Sequence, residues 1–169
     1  QFRAQGKTVG VVAIDPSSPF SGGAVLGDRI RMQDHAGDEG VFIRSLGSRG
    51  SRGGLSRAPR EVVKLFAAFG FDVILVETVG VGQTELDIME IVDTTVVILT
   101  PESGDTIQTM KAGILEIADL FVVNKADRDG ADLMQAELKM MLEIGRKQGP
   151  GWEVPVLATQ ASKNVGVDE

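Results

Sequence analysis

Asn124-Lys125-Ala126-Asp127 sets a carboxamide, an ammonium and a carboxylate within four residues, directly after the apolar run Asp119–Val123. A fixed carboxylate at Asp127 can accept two hydrogen bonds, from the N1–H and the exocyclic amine of guanine. Adenine offers no such donor pair, and a buried acceptor left unpaired costs about 1–3 kcal/mol, so the motif favours guanine over adenine. The Lys125 stem can lie over the base, and Asn124 can tie its loop to neighbouring loops. Gln160-Ala161, in the next strand-end loop, is placed to offer a backbone N–H to the base oxygen. The plainer alternative for the same four residues is a polar helix N-terminus with Asp127 as its cap.

A second stretch, Glu77 to Glu85 (ETVGVGQTE), suits the far end of a nucleotide. Gly80 has no side chain, so its N–H can approach a γ-phosphate oxygen, and Glu77 can hold a Mg²⁺ ion or its water. Loss of the γ-phosphate would release such a loop. Thr84 and Asp87 also spell a capping box, which gives Thr84 an ordinary helix-start role. Gly6-Lys7-Thr8 spells the end of G-x-x-x-x-G-K-[ST], yet Gln1 stands where the first Gly is needed. That loop must open a helix. Here Val9-Gly10-Val11-Val12-Ala13-Ile14 follows, which reads as a strand, so Gly6-Lys7-Thr8 is expected to be a solvated turn.

These residues need a scaffold, and apolar runs recur to supply one: Thr8–Ile14, Val41–Arg44, Asp72–Glu77, Thr94–Leu99, Asp119–Asn124 and Val154–Ala158. Between them, Val62, Leu65, Phe66 and Phe69 keep helical spacing after a start at Pro59, and helices are predicted at Thr84–Val92, Asp105–Ala118 and Ala131–Lys147. Strands alternating with helices predict an α/β fold with a mainly parallel, doubly wound sheet. Ligands of such sheets sit beyond the carboxyl ends of the strands, where the loops described above fall.

Composition narrows the chemistry. The 169 residues, 43% apolar, fit one globular domain, with no run approaching a membrane span and no signal segment, so a cytoplasmic setting is expected. Without Cys, and with only His35, no Cys/His metal cluster can form, which leaves an oxygen-ligated ion such as Mg²⁺. A net charge of −7 argues against bulk nucleic-acid binding. The exception is local: Arg44, Arg49, Arg52, Arg57, Arg60 and Lys64 gather around a Gly/Ser-rich stretch, either a solvated loop or one that meets an anion or a partner. His35 has no spacing that supports a general-base role.

IDPSSPFSGGAVLGDRIRM, SLGSRGSRGGLS, ETVGVGQTE, TPESGDTIQTMKAGILEIAD and NKAD, in this order, closely resemble the MeaB/ArgK family of G proteins, which includes the mitochondrial MMAA proteins. The resemblance covers essentially the whole chain. It implies a P-loop NTPase-type three-layer fold and a homodimer that binds GTP and GDP with Mg²⁺. The implied role is hydrolysis of GTP to gate adenosylcobalamin delivery to methylmalonyl-CoA mutase, or a related acyl-CoA mutase, and to protect that enzyme. It assigns Asp15 and Asp28 to a first switch near Mg²⁺ and the γ-phosphate, and Glu77 and Gly80 to a second. Glu102 to Lys111 form a third, partner-responsive switch in which Asp105, Gln108 and Lys111 are the functional positions beside Glu102. Asn124, Lys125 and Asp127 become the base-recognition motif. On spacing alone, Lys111 reads as an exposed helix residue.

The resemblance places the true phosphate loop one helix upstream of the strand leading into Asp15-Pro16, so a chain truncated at its N-terminus and lacking C-terminal dimerisation elements is expected. Such a chain should neither bind GTP tightly nor hydrolyse it. A family setting in a eukaryote implies the mitochondrial matrix. Competing readings are an ATP-dependent kinase linked to basic amino-acid transport and a catalytically silent mutase-binding scaffold. Nickel delivery is excluded by the lack of Cys.

Overall fold

The computed structural model describes residues 1–15, 32–35, 37–47, 57–78, 87–103, 112–145 and 151–168. They form two compact units, Gln1–Val92 and Asp93–Glu169. All six apolar runs become strands: β1 Val9–Asp15, β2 Val41–Gly47 and β3 Val73–Thr78 in the first unit, β4 Val96–Leu99, β5 Leu120–Asn124 and β6 Val156–Thr159 in the second. Each unit holds one three-stranded sheet, ordered β2-β1-β3 and β4-β5-β6. Every pairing is parallel, as strands alternating with helices predict.

In the first unit, helix α1 (Arg57–Phe69) packs on β1 and β3. It begins two residues before Pro59, because the first-turn N–H groups of a helix have no intrahelical acceptor and proline there loses nothing. Its buried stripe also differs from the predicted one. Pro59 and Phe66 are buried and Val62 and Val63 pack beside Phe66, while Leu65 and Phe69 are exposed. The stripe runs i, i+3, i+4, i+7 from Pro59, so α1 carries more apolar residues than the sheet covers. Phe66, with Val12 and Ile14 of β1, makes the core against Leu46, Ile74 and Val76. Gly10 of β1 is required here, since a Cβ at that position would run into the Phe66 ring.

Gly6-Lys7-Thr8 is structural. Gly6, at φ 78°, closes the 3-10 turn Arg3–Gln5, and Thr8 donates from N and Oγ1 to Asp72 Oδ2 at 2.7 and 2.9 Å. The Asp72 N–H donates back to Thr8 Oγ1 at 3.1 Å. Beside this clip Arg3 grips Asp38 through Nε at 2.8 Å and a terminal nitrogen at 2.9 Å, and donates to the Lys7 carbonyl at 2.7 Å. Both carboxylates are held below their ordinary value of 3.8, Asp38 chiefly by the Arg3 hydrogen bonds and Asp72 chiefly by the Thr8 N–H. A carboxylate whose folded pKa is depressed contributes stability that is present above its unfolded value and lost as pH falls through the folded value. The urea midpoint of the full-length protein is therefore expected to exceed that of Asp38→Asn or Asp72→Asn at pH 7, and the gap to shrink below about pH 4. A gap independent of pH would contradict this origin.

In the second unit, α2 (Ala112–Ile117) lies between β4 and β5 in sequence, and α3 (Ala131–Gly145) packs on β5 and β6. Phe121, Val123 and Leu138 are fully buried, with Ala131 and Met134 completing the i, i+3, i+7 stripe of α3. Two predicted helices lie partly outside the described residues. Of Thr84–Val92 only a 3-10 turn at Asp87–Glu90 is seen, where Ile88, Ile91 and Val92 disfavour an α-helix and Arg60 of α1 pairs with Glu90 at 2.7 Å. Of Asp105–Ala118, residues 112–118 are described, and Ala112–Ile117 is helical.

Candidate functional site

Parallel pairing puts all strand carboxyl ends of a sheet on one side, so each unit presents one functional edge. In the first unit that edge carries Asp15, the last residue of β1, in register with Gly47. Two residues back, Ala13 is flanked in register by Ser45 of β2 and Glu77 of β3. Residues in register on adjacent strands project to the same face. Glu77 Oε2 and Ser45 Oγ are both buried with no hydrogen-bond partner among the described residues. A buried carboxylate oxygen is costly unless something satisfies it, so the surroundings of the Glu77 Oε2 bear on its role. Asp28, Gly80, Asp105, Gln108 and Lys111 lie outside the described residues. Among the described residues no group of three His, Asp or Glu is gathered as a cation site.

In the second unit, hydrogen bonds join the loop after β5 to the loop after β6. Asn124 closes β5, and its Oδ1 accepts from Thr159 Oγ1 and from the Ala161 N–H, both at 3.1 Å. The Ala126 N–H donates to the Thr159 carbonyl at 3.0 Å. Asn124 thus ties its own loop to the loop after β6. The Ala161 N–H, expected to face a base oxygen, is donated to Asn124 instead, and the Gln160 N–H goes to the Val165 carbonyl at 3.0 Å. The amide oxygen of Asn124 already accepts the Ala161 N–H, so a base oxygen could use that N–H only by sharing it. Gly166, at φ 69°, completes the turn where a Cβ would strike the Ala158 carbonyl.

Lys125 adopts φ 57°, a left-handed conformation uncommon outside glycine. Asp127 is half exposed, and Lys163 stands 3.9 Å from it. The capping alternative fails on position: α3 begins at Ala131, so Gly130, not Asp127, precedes it. Glu102, in the 3-10 turn Pro101–Ser103 after β4, accepts from Lys125 Nζ at 3.0 Å and pairs with Arg128. Sequence reasoning places Glu102 in a partner loop and misses this link. Glu102 and Lys125 are 23 residues apart, with no local spacing to signal it. Ser45 gives no signal in sequence either, as one serine in a Ser/Gly-rich run.

This arrangement of parallel sheets with strand-end loops is the fold of P-loop GTPases. The crystal structure of LAO/AO transport system kinase superposes with a TM-score of 0.73 at 32% identity, covering 99% of this chain and 48% of that one. HypB from Helicobacter pylori in complex with nickel gives 0.64 at 14% identity, covering 94% of this chain and 68% of that one, a likeness of fold alone. The profile of Methylmalonyl Co-A mutase-associated GTPase MeaB matches residues 1–169, and the chain belongs to that family. GTPase ArgK of Escherichia coli is 41% identical over 98% of this chain and 51% of its own length. The mouse protein named methylmalonic aciduria type A homolog, mitochondrial, is 40% identical over 98% of this chain and 40% of its own. A relative from Pyrococcus horikoshii is 54% identical over all of this chain and 54% of its own length. The chain thus spans about half the length of the curated relatives it matches. No helix among the described residues is long and apolar enough to cross a membrane.

Proposed function

We propose that this chain is the guanine-reading and switch-bearing part of a GTPase that gates adenosylcobalamin delivery to methylmalonyl-CoA mutase and protects that enzyme, acting as a homodimer. The observation that carries the reading is the loop after β5. There Asn124 is committed to Thr159 and Ala161, leaving Asp127 exposed to accept from a base. In this reading Asn124 fixes the loop, Asp127 takes the N1–H and exocyclic amine of guanine, and the Lys125 stem covers the ring. Gln160-Ala161 supplies a shared N–H to the base oxygen. Gly80 lets a phosphate oxygen approach the backbone. Asp105, Gln108 and Lys111 respond to the partner.

Mg²⁺ fits the residues on the phosphate side. The buried Glu77 Oε2 lacks a partner among the described residues, and a hard oxygen donor suits this ion. Glu77, Asp15 and Asp28 would hold it, and when bound it supplies positive charge to phosphate oxygens. Glu77 would also orient a water held by that ion.

One solved relative is called a transport system kinase, and that name favours one other reading, an ATP-using enzyme. Competition separates them. Against a fluorescent GDP analogue bound to the full-length protein, GTP is expected to compete at least about a hundredfold better than ATP, since adenine leaves Asp127 unpaired. ATP competing equally would sink the guanine reading. The 169 residues contain no complete G-x-x-x-x-G-K-[ST], so the isolated chain is expected to show no GTP turnover.

A further inference from the structure

The guanine loop is held from a third direction that neither the family profile nor the relatives' names assign. Glu102 offers Oε2 to Lys125 Nζ at 3.0 Å and Oε1 to the Arg128 guanidinium, so one carboxylate clasps the residues on both sides of Ala126-Asp127. All three side chains remain 42–53% exposed, where ion pairs add little to fold stability. Their arrangement therefore calls for a reason other than stability. Lys125 supplies it. Its left-handed backbone persists only because surrounding bonds hold it, here Ala126 N–H to the Thr159 carbonyl and Arg128 N–H to the Lys125 carbonyl, both at 3.0 Å. Those bonds fix the backbone but leave a lysine side chain with its full rotamer freedom. Glu102 removes that freedom by anchoring the ammonium, and so sets where the four-carbon stem lies.

Resting on the guanine-nucleotide reading above, we propose that Glu102 is a positioning residue for that site: by clasping Lys125 and Arg128 it holds the Lys125 stem over the purine ring and slows nucleotide release. Preorganising a side chain in its bound conformation lowers the ordering cost of binding, which appears mainly in the dissociation rate. Glu102 itself touches no part of the base. Discrimination between guanine and hypoxanthine stays with Asp127, because only the exocyclic amine differs between them.

The test uses the full-length protein and a fluorescent GDP analogue. Glu102→Gln is expected to raise the analogue's dissociation rate about five- to tenfold, with the nucleotide-free urea midpoint and the GDP-to-IDP affinity ratio unchanged. In a Lys125→Met background, which keeps an unbranched stem and removes the ammonium, Glu102→Gln is expected to add less than about twofold. A dissociation rate unchanged in Glu102→Gln overturns the proposal, as does full additivity of the two substitutions. A fall in the nucleotide-free midpoint that accompanies the rate change also overturns it, in favour of a merely structural pair. Failure of the unsubstituted protein to bind the analogue instead defeats the guanine reading itself.

Discussion

Asp127→Asn in the full-length protein is expected to weaken GTP and GDP binding by about 2–3 kcal/mol, roughly 30- to 150-fold, and to create a preference for xanthine nucleotides. In the proposed reading the carboxylate would accept twice, from the N1–H and the exocyclic amine of guanine. An asparagine amide in the same place keeps one accepting oxygen and turns a donating NH₂ toward the second position, where it meets the guanine amine donor to donor. Xanthine carries a carbonyl at that position, and the same NH₂ then finds an acceptor. The gain for one base and the loss for the other arise from a single group, so the ratio of XDP to GDP affinity is the sensitive quantity. The fold should tolerate the change, because Asp127 is half exposed and Lys163 is 3.9 Å away. Competition of GDP and XDP against a fluorescent analogue reads the ratio directly. A loss of both nucleotides to the same degree would mean that Asp127 supports the loop without reading the base.

Much of this is legible in the sequence because the relevant signals are local. The apolar, β-branched runs from Val9 and Val73 form β1 and β3 within a residue or so of the expected bounds, since strands of a parallel sheet carry near-continuous apolar runs. Asn124 is legible as a tie between loops for a similar reason: an amide at a strand end faces the neighbouring strand end, and Thr159 lies in register there. The α1 stripe differs from the expected one because Leu65 and Phe69 are as apolar as the residues that the sheet covers. Periodicity reports where apolar residues are, and contact with the sheet decides which are buried. Glu102 takes its expected role from its neighbours in sequence, whereas its partners lie beyond α2 and β5. The Ala161 N–H reads as free because the sequence shows Asn124 as a tie between loops without saying which N–H it takes. In both cases the missing information is a tertiary contact between polar groups, which leaves no periodic trace.

The other large effect is expected at Glu77. Among the described residues, its Oε2 and the Ser45 Oγ are the buried side-chain oxygens without hydrogen-bond partners, and they flank Ala13 in the same register row. An unsatisfied buried carboxylate oxygen is costly, so Glu77→Gln separates two accounts of its presence. If Glu77 were held only by packing, the amide would be neutral or stabilising, and nucleotide chemistry would be untouched. If it orients a hydrated Mg²⁺, the amide removes the negative charge that attracts the ion while nearly preserving shape. The expected result in the full-length protein is a fall in GTP turnover of at least about a hundredfold, the loss of about 2.7 kcal/mol of transition-state stabilisation. The Mg²⁺ concentration for half-maximal GTP binding should rise at least about tenfold, while GDP affinity measured without Mg²⁺ stays within about twofold. The two readouts guard each other. Slower turnover with unchanged Mg²⁺ dependence would place Glu77 on the attacking water and not on the ion, and unchanged turnover would leave it a packing role on β3.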